Sequence, residues 1–207
     1  MSLVFIISAP SGSGKSTLVK KLFESVDGLD FSISYTTRPP RAGEKDGEHY
    51  RFVSRDVFEA MRDRGEFLEW AEVFGEYYGT GRAALDQARK RGRDLVLDID
   101  VQGAGQLKKQ LPEAVTVFIL PPSRSELESR LRSRSLDQEE VMARRLRDAR
   151  QEIRNYAAYD YVVVNDRLEE SAEKLKSIIL AERCRKQQAE GIIQPILKTF
   201  DQARRDG

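Results

Sequence analysis

The sequence predicts an α/β fold: a parallel sheet with helices on both faces, interrupted by two insertions. Three observations carry this expectation. Apolar runs of strand length alternate with segments of helical periodicity along most of the 207 residues, and that alternation favours crossover helices on a parallel sheet. The rhythm breaks in the aromatic-rich stretch from Tyr35 to Thr80, and again in the arginine-rich stretch from Ser123 to about Tyr156. With 40% of residues hydrophobic, a chain of this length can bury a sizeable core.

Leu3 to Ser8 reads as a buried strand followed by a glycine-rich turn. Leu18, Leu22 and Val26, with Val19 and Phe23 alongside, then make one helical face. Phe31, Ile33 and Tyr35 alternate with Ser32 and Ser34, which predicts a half-exposed strand ended by Pro39 and Pro40. Ser54 is placed to cap a short helix through Phe58 and Met61, stopped by Gly65. Phe67 to Thr80 should hold two or three short strands with turns at Gly75 and Gly79. A helix from Arg82 to Arg91 stops at Gly92. Leu95–Ile99, Val115–Leu120 and Tyr161–Val164 read as buried strands. Ser123 to Glu126 and Asp137 to Glu140 fit capping boxes that open two helices. Glu169 to Ala189 should be one long helix ending near Gly191, with a short helix or tail after it.

Composition excludes several classes of function. The 35 Lys+Arg against 34 Asp+Glu leave a net charge of +1, so no global field points to nucleic acid or an anionic membrane. One cysteine and one histidine rule out an internal disulfide, a thiolate cluster or a His-rich zinc site. His49 reads as a solvated loop residue. The N-terminus has no basic segment and only a short apolar run, and no stretch approaches the roughly 20 apolar residues of a membrane span. These features lead us to expect a cytoplasmic protein with neither nucleic-acid nor membrane partners.

Ala9-Pro10-Ser11-Gly12-Ser13-Gly14-Lys15-Ser16, followed by Thr17, lies between the first strand and its helix. It matches the phosphate-binding loop pattern except that Ala9 stands at the first glycine. Glycines let backbone N–H groups turn inward around an anion, and the helix N-terminus adds partial positive charge. In this pattern Lys15 bridges the β- and γ-phosphates of a nucleotide and the Ser16 hydroxyl binds Mg²⁺. No Asn-Lys-x-Asp element for reading guanine in a GTPase is present.

The strings SAPSGSGKST, SYTTRPPRAGEKDGEHYRF, FLEWAEVFGEYYGT, LDIDVQGA, FILPPS, RLRSR, EEVMARRL and YDYVVVND follow one another from about residue 3 to 185. In these the chain closely resembles the guanylate kinases, which transfer the γ-phosphoryl group of ATP to GMP. The resemblance implies a three-layer P-loop NTPase core (residues 1–33, 81–122 and 157–190). It also implies an inserted α+β nucleoside-monophosphate lobe (34–80), a helical lid (123–156) and a C-terminal helix or tail (191–207). ATP and GMP are the implied substrates, dGMP is a further expected acceptor, and the Mg²⁺ travels with ATP. The implied physiological task is recycling GMP and supplying GTP and dGTP.

The same resemblance assigns roles. Arg38 and Arg41 would grip the GMP phosphate through guanidinium forks, with Tyr50 and Tyr78 adding phenolic donors. Glu69 would accept both N1–H and N2–H of guanine. Ser34 and Thr80 would bond the base near O6, and Asp100 would assist at the amino group. Arg134 and Arg145 would close over the ATP phosphates, Arg145 also reaching GMP, while Arg130 is a weaker candidate. Asn165 matches a position near adenine, and Asp98 would hold Mg²⁺ through water or orient its neighbours. Taken singly, the tyrosines fit ordinary half-buried residues and the arginines fit a solvated surface. Only the ordered constellation gives them a common purpose. A phosphopeptide-binding module of the same family and a kinase for AMP or dTMP are the competing expectations. The intact Gly14-Lys15-Ser16 opposes the first, and Glu69 with Ser34 and Thr80 opposes the second. A homodimer or larger homo-oligomer is compatible with the sequence.

Overall fold

The computed structural model describes residues 2–41, 43–73, 75–134 and 139–203. β1 (Val4–Ser8), β2 (Leu29–Ser32), β7 (Asp94–Asp98), β8 (Val115–Leu120) and β9 (Tyr161–Val164) form a parallel sheet in the order β2-β7-β1-β8-β9. Parallel register sets Ile7 beside Asp98 and Val117. The C-terminal ends of the central strands therefore lie together at one edge, where α/β sheets bind ligands.

β1 shows why the sheet is covered twice. All five of its residues are buried, and successive side chains point to opposite faces. Phe5 and Ile7 join a cluster with Leu18 and Leu22 of α1 (Lys15–Ser25) and Leu175 and Ile179 of α7 (Leu168–Arg183). Val4 and Ile6 join one with Leu85 and Ala88 of α3 (Arg82–Arg91) and Leu107 of α4 (Val101–Gln110). The expected α/β fold with its parallel sheet is observed.

A second sheet, ordered β4-β3-β6-β5, is built from β3 (Tyr35–Thr36), β4 (Arg51–Phe52), β5 (Phe67–Val73) and β6 (Glu76–Gly81). α2 (Arg55–Asp63) packs on it. The Ser54 hydroxyl caps this helix by accepting from Val57 N–H at 3.3 Å, and the rings of Phe58, Phe67 and Tyr77 stack at 4.4 and 5.3 Å. α5 (Arg124–Arg134), α6 (Glu139–Glu152) and a 3-10 helix (Ile153–Ala158) lie between β8 and β9. α8 (Lys186–Ala203) follows α7.

Four expectations about elements are corrected. The strand expected through Phe31, Ile33 and Tyr35 is two strands in different sheets, because the chain crosses between them at Ile33-Ser34. Ser32 and Ser34 are the buried residues there, while Phe31 is exposed at the edge of the sheet, edge-on to Phe23. Gly79 is no turn. It lies inside β6, where a Cβ would sit 3.0 Å from the rings of both Phe58 and Phe67. The turn is at Gly75, whose φ of 84° suits glycine. The helix expected to run to Ala189 stops at Arg183, and α8 then continues through Gly191 and Pro195. α4 was not expected. Asp100 caps it, accepting from Gln102 N–H and Gly103 N–H at 2.7 and 3.1 Å. Asp137, expected to cap α6, lies outside the described residues.

Candidate active site

The phosphate-loop motif connects β1 to α1, as its spacing requires. Gly12 and Gly14 have φ of 88° and 86°, a region that costs other residues steric strain. Space also demands glycine at both positions. A Cβ on Gly12 would press into Leu131 of α5 at 2.8 Å, and one on Gly14 would collide with the Asn165 amide. Asn165, 4% exposed at the end of β9, donates from Nδ2 to the Ser13 carbonyl at 2.8 Å. The residue expected near adenine thus clasps the loop backbone. Lys15 Nζ donates to the Ile99 carbonyl at 3.2 Å and pairs with the Asp98 carboxylate at the end of β7. Ser11, Ser16 and Thr17 are exposed, with Ser16 in the first turn of α1.

A cavity of about 490 Å³ opens beside this loop. Ser11, Lys15 and Asp98 line one side, and Ser34, Arg41, Tyr50, Glu69, Tyr78 and Asp100 line another. Most residues expected from the sequence to hold the acceptor therefore meet in one space. Thr80 adjoins it through Glu69.

Glu69 is the most unusual group there. A β-bulge at Leu68 in β5 lets three successive residues be buried in different directions. Phe67 turns to the ring stack, Leu68 to the core below the first sheet, and Glu69 to the cavity. Opposite it on β6, Thr80 donates from Oγ1 to Glu69 Oε1 at 2.5 Å. Burial, only partly offset by that bond and reinforced by the nearby Asp100 charge, pushes the Glu69 carboxyl up to about 7. Gly103, at the start of α4, abuts the carboxylate so closely that a Cβ would overlap Oε2.

Arg38 stands apart from the cavity lining. Its fork bonds both Glu44 oxygens, at 2.6 and 2.7 Å, and its guanidinium lies 5.0 Å from the centre of the Tyr50 ring. The Arg38 bond holds Glu44 down at about 2 and raises Arg38 above its ordinary value. Glu44 also accepts from Arg41 N–H at 2.8 Å, so one carboxylate shapes the turn that carries both arginines. Burial, and then the Asp98 charge, push Tyr50 up to about 12, leaving its phenol a donor at neutral pH.

The remaining wall is α6. Val141, Arg144, Arg145, Asp148, Ala149 and Glu152 recur at the spacing of one helix face, and all line the cavity. Arg145 is thus brought to the site. Asp148 and Glu152 were missed, although they sit on the same stripe as Arg145. Their signal was helical phase, hidden by the surrounding charges. Glu152 is pushed up to about 6, first by burial and then by Asp100, while Lys15 and the Ser11 N–H pull the other way. Arg130 donates from Nε to Glu126 at 2.8 Å beside the loop. Arg134 ends α5, and its side chain lies outside the described residues.

Among the described residues no group of three or more His, Cys, Asp or Glu could hold a metal. Ser16 and Asp98 offer hard oxygen at the loop, which fits an ion held mainly by phosphate and water. No helix among the described residues is long and apolar enough to cross a membrane.

The guanylate kinase family model matches residues 1–182. A guanylate kinase of Koribacter versatilis is 59% identical over 186 residues, covering 88% of this chain and 80% of its own. That of Escherichia coli is 49% identical over 200 residues, covering 94% and 97%. The crystal structure of guanylate kinase from Anaplasma phagocytophilum superposes with a TM-score of 0.76 at 37% identity, over 89% of this chain and 88% of that one. A chain that the family model matches over residues 1–182, and whose relatives are about half or more identical over most of both lengths, belongs to the guanylate kinase family.

Proposed function

We propose that the cavity holds GMP against the phosphate loop and that the chain transfers the γ-phosphoryl group of ATP to it, giving ADP and GDP. The observation that carries this reading is the single space lined by Lys15 and Asp98 on one side and by Glu69, Ser34 and Tyr78 on the other. It joins a phosphate-loop lysine to a buried carboxylate with a hydroxyl partner.

Guanine presents N1–H and N2–H side by side, and ionised Glu69 can accept both. Adenine has an acceptor at N1, which would leave the buried carboxylate without a partner, a mismatch that can discriminate by about 10⁴. Ser34 supplies a further hydroxyl at the base edge. Asp100 sits near the amino group, but its Oδ1 already caps α4, so it acts chiefly by fixing Gly103 against Glu69. Arg41, Tyr50 and Tyr78 bind the GMP phosphate, and Arg38 joins them by exchanging part of its bond to Glu44.

A phosphate monoester is largely dianionic at neutral pH, so the acceptor oxygen needs no general base. Catalysis then rests on alignment and charge neutralisation. The loop amides, Lys15, Arg145 and Arg134 hold the ATP phosphates, and Asn165 keeps the loop in shape. Mg²⁺ bound with ATP near Ser16 and Asp98 would neutralise charge on the β- and γ-oxygens. Residues 34–80 act as the acceptor lobe and 123–156 as the lid, closing to exclude water. ADP formation should be measured with GMP, dGMP, AMP, dTMP or no acceptor, beside Lys15→Ala. Turnover with GMP and dGMP, lost in the variant, is expected. Equal turnover with AMP would overturn the base assignment, and full activity in Lys15→Ala would overturn the loop chemistry.

A further inference from the structure

We propose that Gln106 and Gln110 of α4 are positioning residues for base recognition, holding the bulged strand β5 in the register that aims Glu69 into the cavity. This rests on the reading of Glu69 as the guanine acceptor and names the groups that enforce it.

β5 is the end strand of the second sheet, so only one of its edges is paired, to β6. The other edge is of the kind that stands open to water or to a further strand. β5 also carries the bulge at Leu68, where the pairing passes from Phe67–Gly81 to Glu69–Thr80. A bulge seats one extra residue in the strand, and a shift of one residue turns every side chain to the other face. The strand that carries the recognition group is thus the one least secured by its own sheet.

α4 secures it from the unpaired side. Gln110 donates from Nε2 to the Leu68 carbonyl at 2.7 Å, and Gln106 donates from Nε2 to the Trp70 carbonyl at 2.9 Å. A backbone carbonyl only accepts, so each glutamine must present its amide nitrogen. The two bonded carbonyls flank Glu69, one on each side. Spacing explains why two glutamines four apart serve: four residues advance about 6 Å along a helix, and two advance about 6.6 Å along a strand. α4 therefore runs antiparallel to β5 and takes both carbonyls as a neighbouring strand would.

Gly103, Gln106 and Gln110 lie three and four apart, on one face of α4. From that face Gly103 abuts the Glu69 carboxylate, while Ala104 and Leu107 join Leu68 in the core below the first sheet. One helix thus fixes the backbone before Glu69, the backbone after it and the place of its carboxylate. Both glutamines are exposed and neither lines the cavity, so they reach guanine only through Glu69. Without their bonds β5 is free to shift, and a fraction of molecules carries Glu69 out of line. Apparent affinity for GMP falls with that fraction, whereas ATP at the phosphate loop is untouched.

The test is initial-rate kinetics of the full chain at pH 8 with Gln106→Met, Gln110→Met and the double variant. Methionine keeps the length and helix propensity of glutamine without the donor. Each single variant should raise the GMP KM about fivefold, the effect of losing one amide hydrogen bond, and the pair at least about tenfold. The ATP KM, the kcat at saturating GMP and the kcat/KM for AMP should stay within about twofold. Gln110→Lys keeps a donor of similar reach and should behave as wild type. In a Glu69→Gln background, Gln110→Met should add nothing to the GMP KM. An unchanged GMP KM in the methionine variants, with Glu69→Gln crippled, would overturn the proposal and leave the guanine reading standing. A joint rise of the ATP and GMP KM, or the same fivefold effect in the Glu69→Gln background, would make the glutamines merely structural and overturn it as well. A GMP KM unmoved by Glu69→Gln itself would remove the reading of Glu69 and this proposal with it.

Discussion

Replacing Glu69 by Gln should stabilise this protein while removing its recognition group. The residue is 5% exposed, and its carboxyl is pushed from an ordinary 4.5 up to about 7. The folded state therefore holds the proton more tightly than the unfolded chain between those values, and stability falls as pH rises through that window. A shift of that size corresponds to about 3 kcal/mol of ionisation cost, present in full above pH 7 and absent below about 4.5. Gln fills nearly the same volume and can keep the Thr80 bond through its carbonyl, but it never ionises. For a chain of this size the gain at pH 8 amounts to a Tm increase of about 5–10 °C. The measurement is thermal unfolding of wild type and Glu69→Gln at pH 8 and pH 4.5. The difference should be large at the first and nearly vanish at the second. An equal difference at both, or a variant less stable at pH 8, would refute the argument from burial.

Other consequences follow from the same geometry. The GMP KM should rise about tenfold per unit as pH falls below 7, because only ionised Glu69 accepts both guanine donors. Glu152→Gln should keep that profile, and a flat profile would count against the assignment. Gly103→Ala places a methyl on the Glu69 carboxylate and should raise the GMP KM at least tenfold while leaving ATP binding intact; isothermal titration with each nucleotide separates the two. Asn165→Ala removes the clasp on Ser13 and should cost about 1–3 kcal/mol together with a raised ATP KM, read from urea unfolding and initial rates. An unchanged ATP KM there would mean that the loop keeps its shape unaided.

Much of this was legible in the sequence because the signals are local. A buried strand, a glycine turn and an amphipathic helix identify the phosphate loop, and Ser54, Gly65 and Gly92 punctuate their helices as written. Alternation failed at Phe31–Tyr35 because period-2 patterning reports burial only where one sheet face is covered throughout. There the chain leaves one sheet for another. α4 was hidden because Asp100 reads equally as a binding carboxylate and as a helix cap. Gly79 was misread because a glycine inside a strand can mark a close ring stack as well as a turn. In the site, the acceptor residues were recovered through their order along the chain. Gly103 acts through lack of a side chain, Glu44 acts on Arg38 and Arg41, and Asp148 and Glu152 blend into a charged helix. None of these carries a sequence pattern of its own.

The account rests on one cavity reading guanine through Glu69 while presenting a phosphate to Lys15. The most direct measurement is the ratio of kcat/KM for GMP to that for AMP, in wild type and in Glu69→Gln at pH 8. A ratio of about 10⁴ or more in wild type, collapsing by several hundredfold in the variant through loss of the GMP rate, is the predicted result. A ratio unchanged by the substitution would contradict it.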